Sequence, residues 1–155
     1  MTWRHLPAPA RAIAVTASAA VTAAGDHDRA VFEETVARLA AAEAAGLVLG
    51  AVVRLLLEEL HPDGVDGDDI RQILDDCVVA AAQWQEEADP HVTLVLLAGA
   101  LGIYDQDEEA RQPSPIELAR NTALLVAHLL VAAKHPLAWY LNAAFAEIAR
   151  TELQD

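Results

Sequence analysis

The sequence predicts an all-α fold, a single-domain helical bundle of about seven helices with helices 5 and 6 at its centre. Of the 155 residues, 54% are hydrophobic and only 5% are aromatic. The commonest types, Ala and Leu, lose little entropy on entering a helix. Apolar residues recur at helical spacing, whereas alternating runs typical of strands are nearly absent. The length fits one domain, residues 9–155, preceded by a proline-punctuated N-terminal arm, residues 1–8.

The first three predicted helices follow the arm in close succession. Helix 1 is expected over residues 9–24 and ends at Gly25, because glycine is favoured just beyond a helix C-terminus. Asp26 is the expected N-cap of helix 2, residues 27–45. Helix 3, residues 47–60, carries an apolar stripe at spacing i, i+3, i+4, i+7, i+8 and i+11, formed by Leu49, Val52, Val53, Leu56, Leu57 and Leu60.

Helices 4 and 5 differ in character. Asp89 and Pro90 form an N-cap and first-position pair for helix 5, which is expected to run to Tyr104 and is apolar on nearly all sides. An acidic, solvated loop, residues 105–113, follows it. Helix 4 is the most clearly amphipathic, with apolar positions Ile70, Ile73, Leu74, Cys77, Val78, Ala81 and Trp84.

Helix 6 has the most specific start signal in the chain. Ser114 and Glu117 form a capping box with a proline between them at the first helical position. The helix is apolar all round and is expected to reach Lys134, where His135-Pro136 ends it. The last helix carries the aromatic and apolar residues Trp139, Tyr140, Phe145 and Ile148.

Charge and hydropathy exclude several function classes. With 10 Lys and Arg against 24 Asp and Glu, the net charge is −14. Nucleic-acid binding is not expected, because it depends on clustered Lys and Arg, and here the basic residues are scattered. No apolar run reaches the roughly 18–20 residues that a membrane span needs, so no membrane partner is expected. Segment 12–25 is a poor signal peptide and the single cysteine forms no intramolecular disulfide, so a cytoplasmic location is expected.

The loop HPDGVDGDDI, residues 61–70, raises the question of a calcium site. An EF-hand needs oxygen ligands at positions 1, 3 and 5, glycine at 6 and glutamate at 12. Placing Gly64 or Gly67 at position 6 puts an isoleucine at position 12, so neither register fits. The pattern favours a helix connector, in which Asp66 caps helix 4 and further carboxylates lie at the positive end of its dipole.

Two other spacings are weak alternatives for a metal site: His61 with Asp63, and His27 with Asp28. The latter form the His-Asp dipeptide of helical metal-dependent phosphohydrolases, whose chemistry needs further ligands on other helices. Glu58-x-x-His61 is one of the two pairs that a di-iron bundle requires, and no second pair occurs. We therefore expect no metal and no cofactor.

His128 lies inside the apolar run TALLVAHLLVAA, where a satisfied core histidine is the usual interpretation. If the fold holds a small-molecule pocket, His128 is expected to line it, with Asn121, Thr122 and Tyr140 as companions. Cys77 lies on an apolar stripe and is expected to be a buried structural thiol. No catalytic residue is identified, because glycine-rich phosphate loops, Gly-x-Ser-x-Gly and His-Glu-x-x-His are absent.

By elimination, the sequence favours a non-enzymatic cytoplasmic interaction or regulatory module that self-associates. Two helices that are apolar all round and an aromatic last helix indicate more apolar surface than one small core hides. The expected partner is a second copy, giving a homo-oligomer with a dimer as the expected state, and a basic protein is a further candidate partner. The alternative is a small-molecule-binding or metal-dependent hydrolytic domain with a pocket near His128.

Overall fold

A computed structural model of the chain describes residues 3–85, 87–102 and 112–154. Over these ranges the chain forms helices and no strand, and the apolar faces of the helices share one continuous core. The all-α prediction with about seven helices is therefore confirmed. In chain order the helices are α1 (Ala8–Asp26), α2 (Arg29–Ala41), α3 (Ala45–Leu60), α4 (Gly67–Ala82), α5 (Pro90–Ala100), α6 (Pro115–Leu130) and α7 (Leu137–Gln154).

The most deeply buried helix of the described chain is α6. It packs against α1, α2, α3, α4 and α5, and residues 119–126 are buried without interruption, so every side of the helix is covered. The other strongly apolar helix, α5, packs against α3, α4 and α6 but leaves Leu94 and Val95 exposed. α7 packs on α1 and α3 and closes one side of the bundle.

Three helix starts follow the predicted local hydrogen bonds. The Asp66 carboxylate accepts from the backbone N–H of Asp69 at 2.8 Å, and the Asp69 carboxylate accepts from that of Asp66 at 3.0 Å. Ser114 and Glu117 form the same reciprocal pair, both at 3.2 Å, and Asp89 caps α5. These bonds satisfy N–H groups that have no partner within the helix.

The junction between α1 and α2 differs from the sequence-based expectation. α1 runs as far as Asp26, and His27 adopts the left-handed conformation (φ 56°) that ends it. Asp28, rather than Asp26, caps α2 through its carboxylate. The His27 ring stacks on Trp84 with ring centroids 5.3 Å apart, a contact that supports this uncommon backbone conformation.

Some helix ends also lie at other residues than expected. α2 stops at Ala41 and meets α3 at 112°. α6 ends at Leu130 rather than Lys134, and α5 ends at Ala100. Tyr104, the expected end of helix 5, and residues 105–111 of the acidic loop lie outside the described residues. Among the described residues no single helix has the length and apolar character to cross a membrane, although the bent pair α2–α3 reaches them by length and composition alone.

The N-terminal arm packs against its own domain. Trp3 and Leu6 are buried, and the Arg11 guanidinium donates to their carbonyl oxygens at 3.3 and 3.1 Å. The arm thereby lies along α1 and reaches α7, where His5 Nε2 is 3.0 Å from the side-chain oxygen of Asn142. Because an amide oxygen only accepts hydrogen bonds, Nε2 carries the proton.

Candidate functional site

A groove of about 660 Å³ lies between α3, α5 and α7. It is bordered by apolar side chains that the monomer leaves in contact with solvent: Leu47 is 64% exposed and Val95 is 38% exposed. We call this surface the α3–α5–α7 face, defined by Gly46, Leu47, Gly50, Ala51, Val95, Gly99, Ala100 and Ile148.

Three helical glycines lie on the α3–α5–α7 face. A glycine inside a helix costs about 1 kcal/mol relative to alanine, so its presence calls for a packing reason. A Cβ atom added at Gly46, Gly50 or Gly99 would meet nothing within 4 Å. Within the described chain, therefore, no close approach of another element requires glycine at these positions.

The same face carries little net charge. Of the described residues that line the 660 Å³ groove, only Arg54 and Glu147 are charged, and they form an ion pair between α3 and α7 at the edge of the face. Arg54 also pairs with Glu58 at 2.9 Å. Burial lowers the pKa of Arg54, but the hydrogen bond with Glu58 and the charge of Glu147 raise it overall. The face is thus apolar with a neutralised charge pair at its edge.

A second groove, of about 750 Å³, lies between the arm, α1, α3 and α7. We call it the α1–α3–α7 groove. The His5–Asn142 hydrogen bond lies among its lining residues, and the two grooves share Leu47 and Ile148. Its remaining walls are apolar and include Leu6, Pro9, Ile13, Val48 and Phe145.

His128 lines a small cavity of about 170 Å³ between α1, α4 and α6. His27, Cys77 and Trp84 line the same cavity, so the structure brings together two imidazoles, a thiol and an indole that are far apart in sequence. Cys77 is buried, as expected, and burial raises the pKa of its thiol to about 11. A thiol with this pKa is neutral near pH 7 and a weak nucleophile.

The other three residues predicted to line a pocket with His128 have different surroundings. Asn121 accepts a hydrogen bond from the backbone N–H of Asp89 at 2.9 Å and holds the start of α5. Thr122 lines a separate cavity of about 380 Å³ between α2, α3, α5 and α6. Tyr140 is buried and bonds to Glu59. A ligand site near His128 stays a prediction, and its nearest described companions are those of the 170 Å³ cavity.

Glu59 is the centre of a polar cluster that sequence reasoning missed. The Tyr140 hydroxyl donates to Glu59 Oε2 at 2.6 Å, and the backbone N–H of Lys134 donates to the same oxygen at 3.1 Å. The bond from Tyr140 lowers the pKa of Glu59. Burial, together with this bond, raises the pKa of Tyr140. The cluster joins the end of α3 to the α6–α7 connection, a role that suits stability rather than chemistry.

A second missed cluster surrounds Arg120, which is only 7% exposed. Its Nη2 atom lies 2.8 Å from Glu87 and 3.3 Å from Glu33, and Gln85 donates to Glu33 at 2.8 Å. The buried Arg120 Nε atom has no hydrogen-bond partner within the described chain. The available sequence signal was an arginine within an otherwise apolar helix, because a buried charge needs partners. The cluster fastens the α4–α5 connection to α2 and α6.

The two weak alternatives for a metal site, His61 with Asp63 and His27 with Asp28, lie in the segments before α4 and α2. His61 Nδ1 lies 3.7 Å from Asp69 Oδ2, and Asp63 is exposed in the turn. Asp28 caps α2, while the ring of His27 stacks on Trp84. Within the described residues, no group of three or more His, Cys, Asp or Glu side chains has an arrangement suited to holding a metal ion.

The chain matches no protein-family model, no curated protein and no solved structure at a significant level.

Proposed function

We propose that the chain is a non-enzymatic interaction module that self-associates as a dimer through the α3–α5–α7 face. The observation that carries the proposal is the combination of exposed apolar side chains, above all Leu47, with the near-absence of net charge on this face. Exposed apolar surface of this kind is typical of protein–protein contacts. The single cysteine, which leaves no intramolecular disulfide, is compatible with the cytoplasmic setting that we propose for it.

Charge narrows the choice of contact surface. Each copy carries a net charge of −14, which opposes the approach of a second copy. If the contact surface contains no unpaired carboxylate, the carboxylates of the two copies repel each other only across solvent, where salt screens the repulsion. The charged edge of the face holds one cation and one anion, Arg54 and Glu147, which are already paired within the chain.

The helical glycines support the same surface. Gly46 and Gly50 are one turn apart on α3, and Gly99 lies opposite them on α5. Since the monomer's own packing does not fill the space above them, they offer a second copy a close approach to the helix backbone. Small residues serve this purpose where two helices pack closely.

The first test is a charge placed on the face. Leu47→Asp is expected to weaken the dimer about tenfold or more, because dimerisation would bury an unpaired carboxylate. Val79→Asp on α4 is the matched control, since Val79 is also 64% exposed and lies away from the face. Light scattering across micromolar concentrations measures the dimerisation of both variants. A wild-type chain that stays monomeric up to about 100 μM, well above the affinity range of specific interfaces, would overturn the proposal.

The second test separates self-association from folding. Gly50→Leu is expected to stabilise the monomer by about 0.5–1 kcal/mol, because leucine favours the helix and a Cβ atom added at Gly50 meets nothing within 4 Å. The same change should weaken the dimer by blocking close approach. A Gly50→Leu chain that unfolds at higher temperature and dimerises as tightly as wild type would exclude this face as the contact.

Small-molecule binding at the His128 cavity is the second candidate function. It is favoured by the convergence of His27, Cys77, Trp84 and His128 on one 170 Å³ space, a size that suits a small ring compound. Binding would be seen as a change in the fluorescence of Trp84 and as thermal stabilisation. His128→Leu should abolish both effects, and a compound that stabilises this variant equally binds elsewhere.

A further inference from the structure

The α1–α3–α7 groove has the composition of a site for an apolar chain. Its volume, about 750 Å³, falls within the range of about 300–1,000 Å³ that small-molecule sites occupy. Apart from His5 and Asn142, its lining residues are apolar. Asn142 accepts from His5 through its side-chain oxygen, so its NH₂ group is left as a donor at the same end of the groove.

Three arginines and two glutamates, Glu43 and Glu147, neighbour lining residues of this groove in sequence, and Glu147 is paired with Arg54. The local balance is therefore basic, in a chain whose net charge is −14. No carboxylate is among the lining residues. Arg4 and Arg11 flank the end that His5 and Asn142 form, and Arg150 lies one turn along α7 from Ala146, which lines the groove. Arg4, Arg11 and Arg150 are exposed, and none forms an ion pair with another described residue.

We propose that the α1–α3–α7 groove binds a free single-chain carboxylate, a medium- or long-chain fatty acid. The alkyl chain lies among the apolar side chains of α1, α3 and α7. The carboxylate lies at the His5–Asn142 end, where the Asn142 amide donates a hydrogen bond. Arg4 and Arg11, which form no ion pair with a described carboxylate, supply positive charge at this end. Leu47 and Ile148 belong to both surfaces, but the other lining residues lie outside the α3–α5–α7 face, so separate variants test the two proposals.

Calorimetry of the full chain with decanoate and with decan-1-ol tests the proposal. Decanoate should bind at micromolar to submillimolar concentration and more tightly than the alcohol. Each added methylene should tighten binding roughly three- to fourfold, as expected when each enters an apolar site. Absence of decanoate binding, or equal affinity for acid and alcohol, would overturn the proposal.

Groove-filling variants locate the ligand. Ala146→Trp and Ala149→Trp place a large side chain at exposed lining positions, and each should weaken decanoate binding about tenfold or more. Ala37→Trp on α2 is the matched control, an exposed helical alanine away from the groove, and should leave the affinity unchanged. Circular dichroism confirms that each variant is folded. If both groove variants fold and bind like wild type, the groove is not the site.

Charge variants test recognition of the acid group. Arg4→Gln should weaken decanoate binding about two- to threefold and leave the affinity for the alcohol unchanged, the effect expected of an exposed charge. Arg71→Gln, on α4, should change the affinity for neither ligand.

Two further probes distinguish other occupants of the groove: phosphatidylglycerol vesicles and an acidic amphipathic helical peptide. Retention of either, together with failure to bind free decanoate, would overturn the fatty-acid assignment.

Discussion

At the scale of the residue, Tyr140 illustrates how one buried hydroxyl joins distant parts of the chain. Its bond to Glu59 spans 81 residues of sequence. Tyr140→Phe is expected to lower the free energy of unfolding by about 2 kcal/mol, because the hydrogen bond reaches an ionised acceptor. Thr151→Val removes an exposed hydrogen bond to the backbone carbonyl oxygen of Glu147 and should lower the free energy of unfolding only slightly. Urea denaturation at pH 7 compares the two, and equal losses would contradict the role given to the Glu59 cluster.

The same bond has a pH dependence of known sign. The pKa of Glu59 is lowered from its ordinary 4.5, so its contribution is present above pH 4.5 and is lost as the pH falls through the lower value. The pKa of Tyr140 is raised above 10.0, so its contribution is present below pH 10 and is lost as the pH rises through that higher value. The difference in stability between wild type and Tyr140→Phe should therefore be full between about pH 5 and 9 and shrink as the pH falls below 4.5.

At the scale of the element, the loop before α4 acts as a helix start. Asp66→Ala is expected to lower the free energy of unfolding by about 1 kcal/mol, because it removes one half of a capping box. Asp63→Ala is the control in the same loop, since Asp63 is exposed and takes no part in the cap. Thermal unfolding should show a loss of about 2–4 °C for the first variant only. Stabilisation of wild type by calcium, abolished in either variant, would instead point to a cation site.

At the scale of the whole molecule, net charge should govern the proposed dimer. Two copies together carry about twice the −14 of one chain, and the repulsion between them acts mostly across solvent, where the Debye length is about 10 Å at 0.1 M salt. Raising the salt concentration from about 20 to 300 mM should therefore tighten the dimer severalfold. Sedimentation equilibrium measures this directly. A dimer that weakens with salt would be held by opposite charges, and the apolar α3–α5–α7 face would not be its main contact.

The sequence by itself determined the fold class and most helix starts. The caps at Asp66, Asp89 and Ser114 bond to N–H groups two or three residues away, so the pattern that forms them is contained in a few consecutive letters. The N-cap of α2 was not predicted correctly from the sequence pattern. Asp26 and Asp28 are equally suitable caps, and the stacking of His27 on Trp84, 57 residues later, accompanies the choice of Asp28.

Only the tertiary structure decided which side chains meet. Glu59 with Tyr140, Arg120 with Glu33, and His5 with Asn142 are pairs separated by 81, 87 and 137 residues. No local periodicity carries that information, because such contacts depend on how the helices cross. The same reason applies to the two grooves: the sequence indicated surplus apolar surface, but the crossing of α3 with α5 and α7 determines where it lies. Packing geometry, rather than helix-forming tendency, therefore sets the surfaces on which both functional proposals rest.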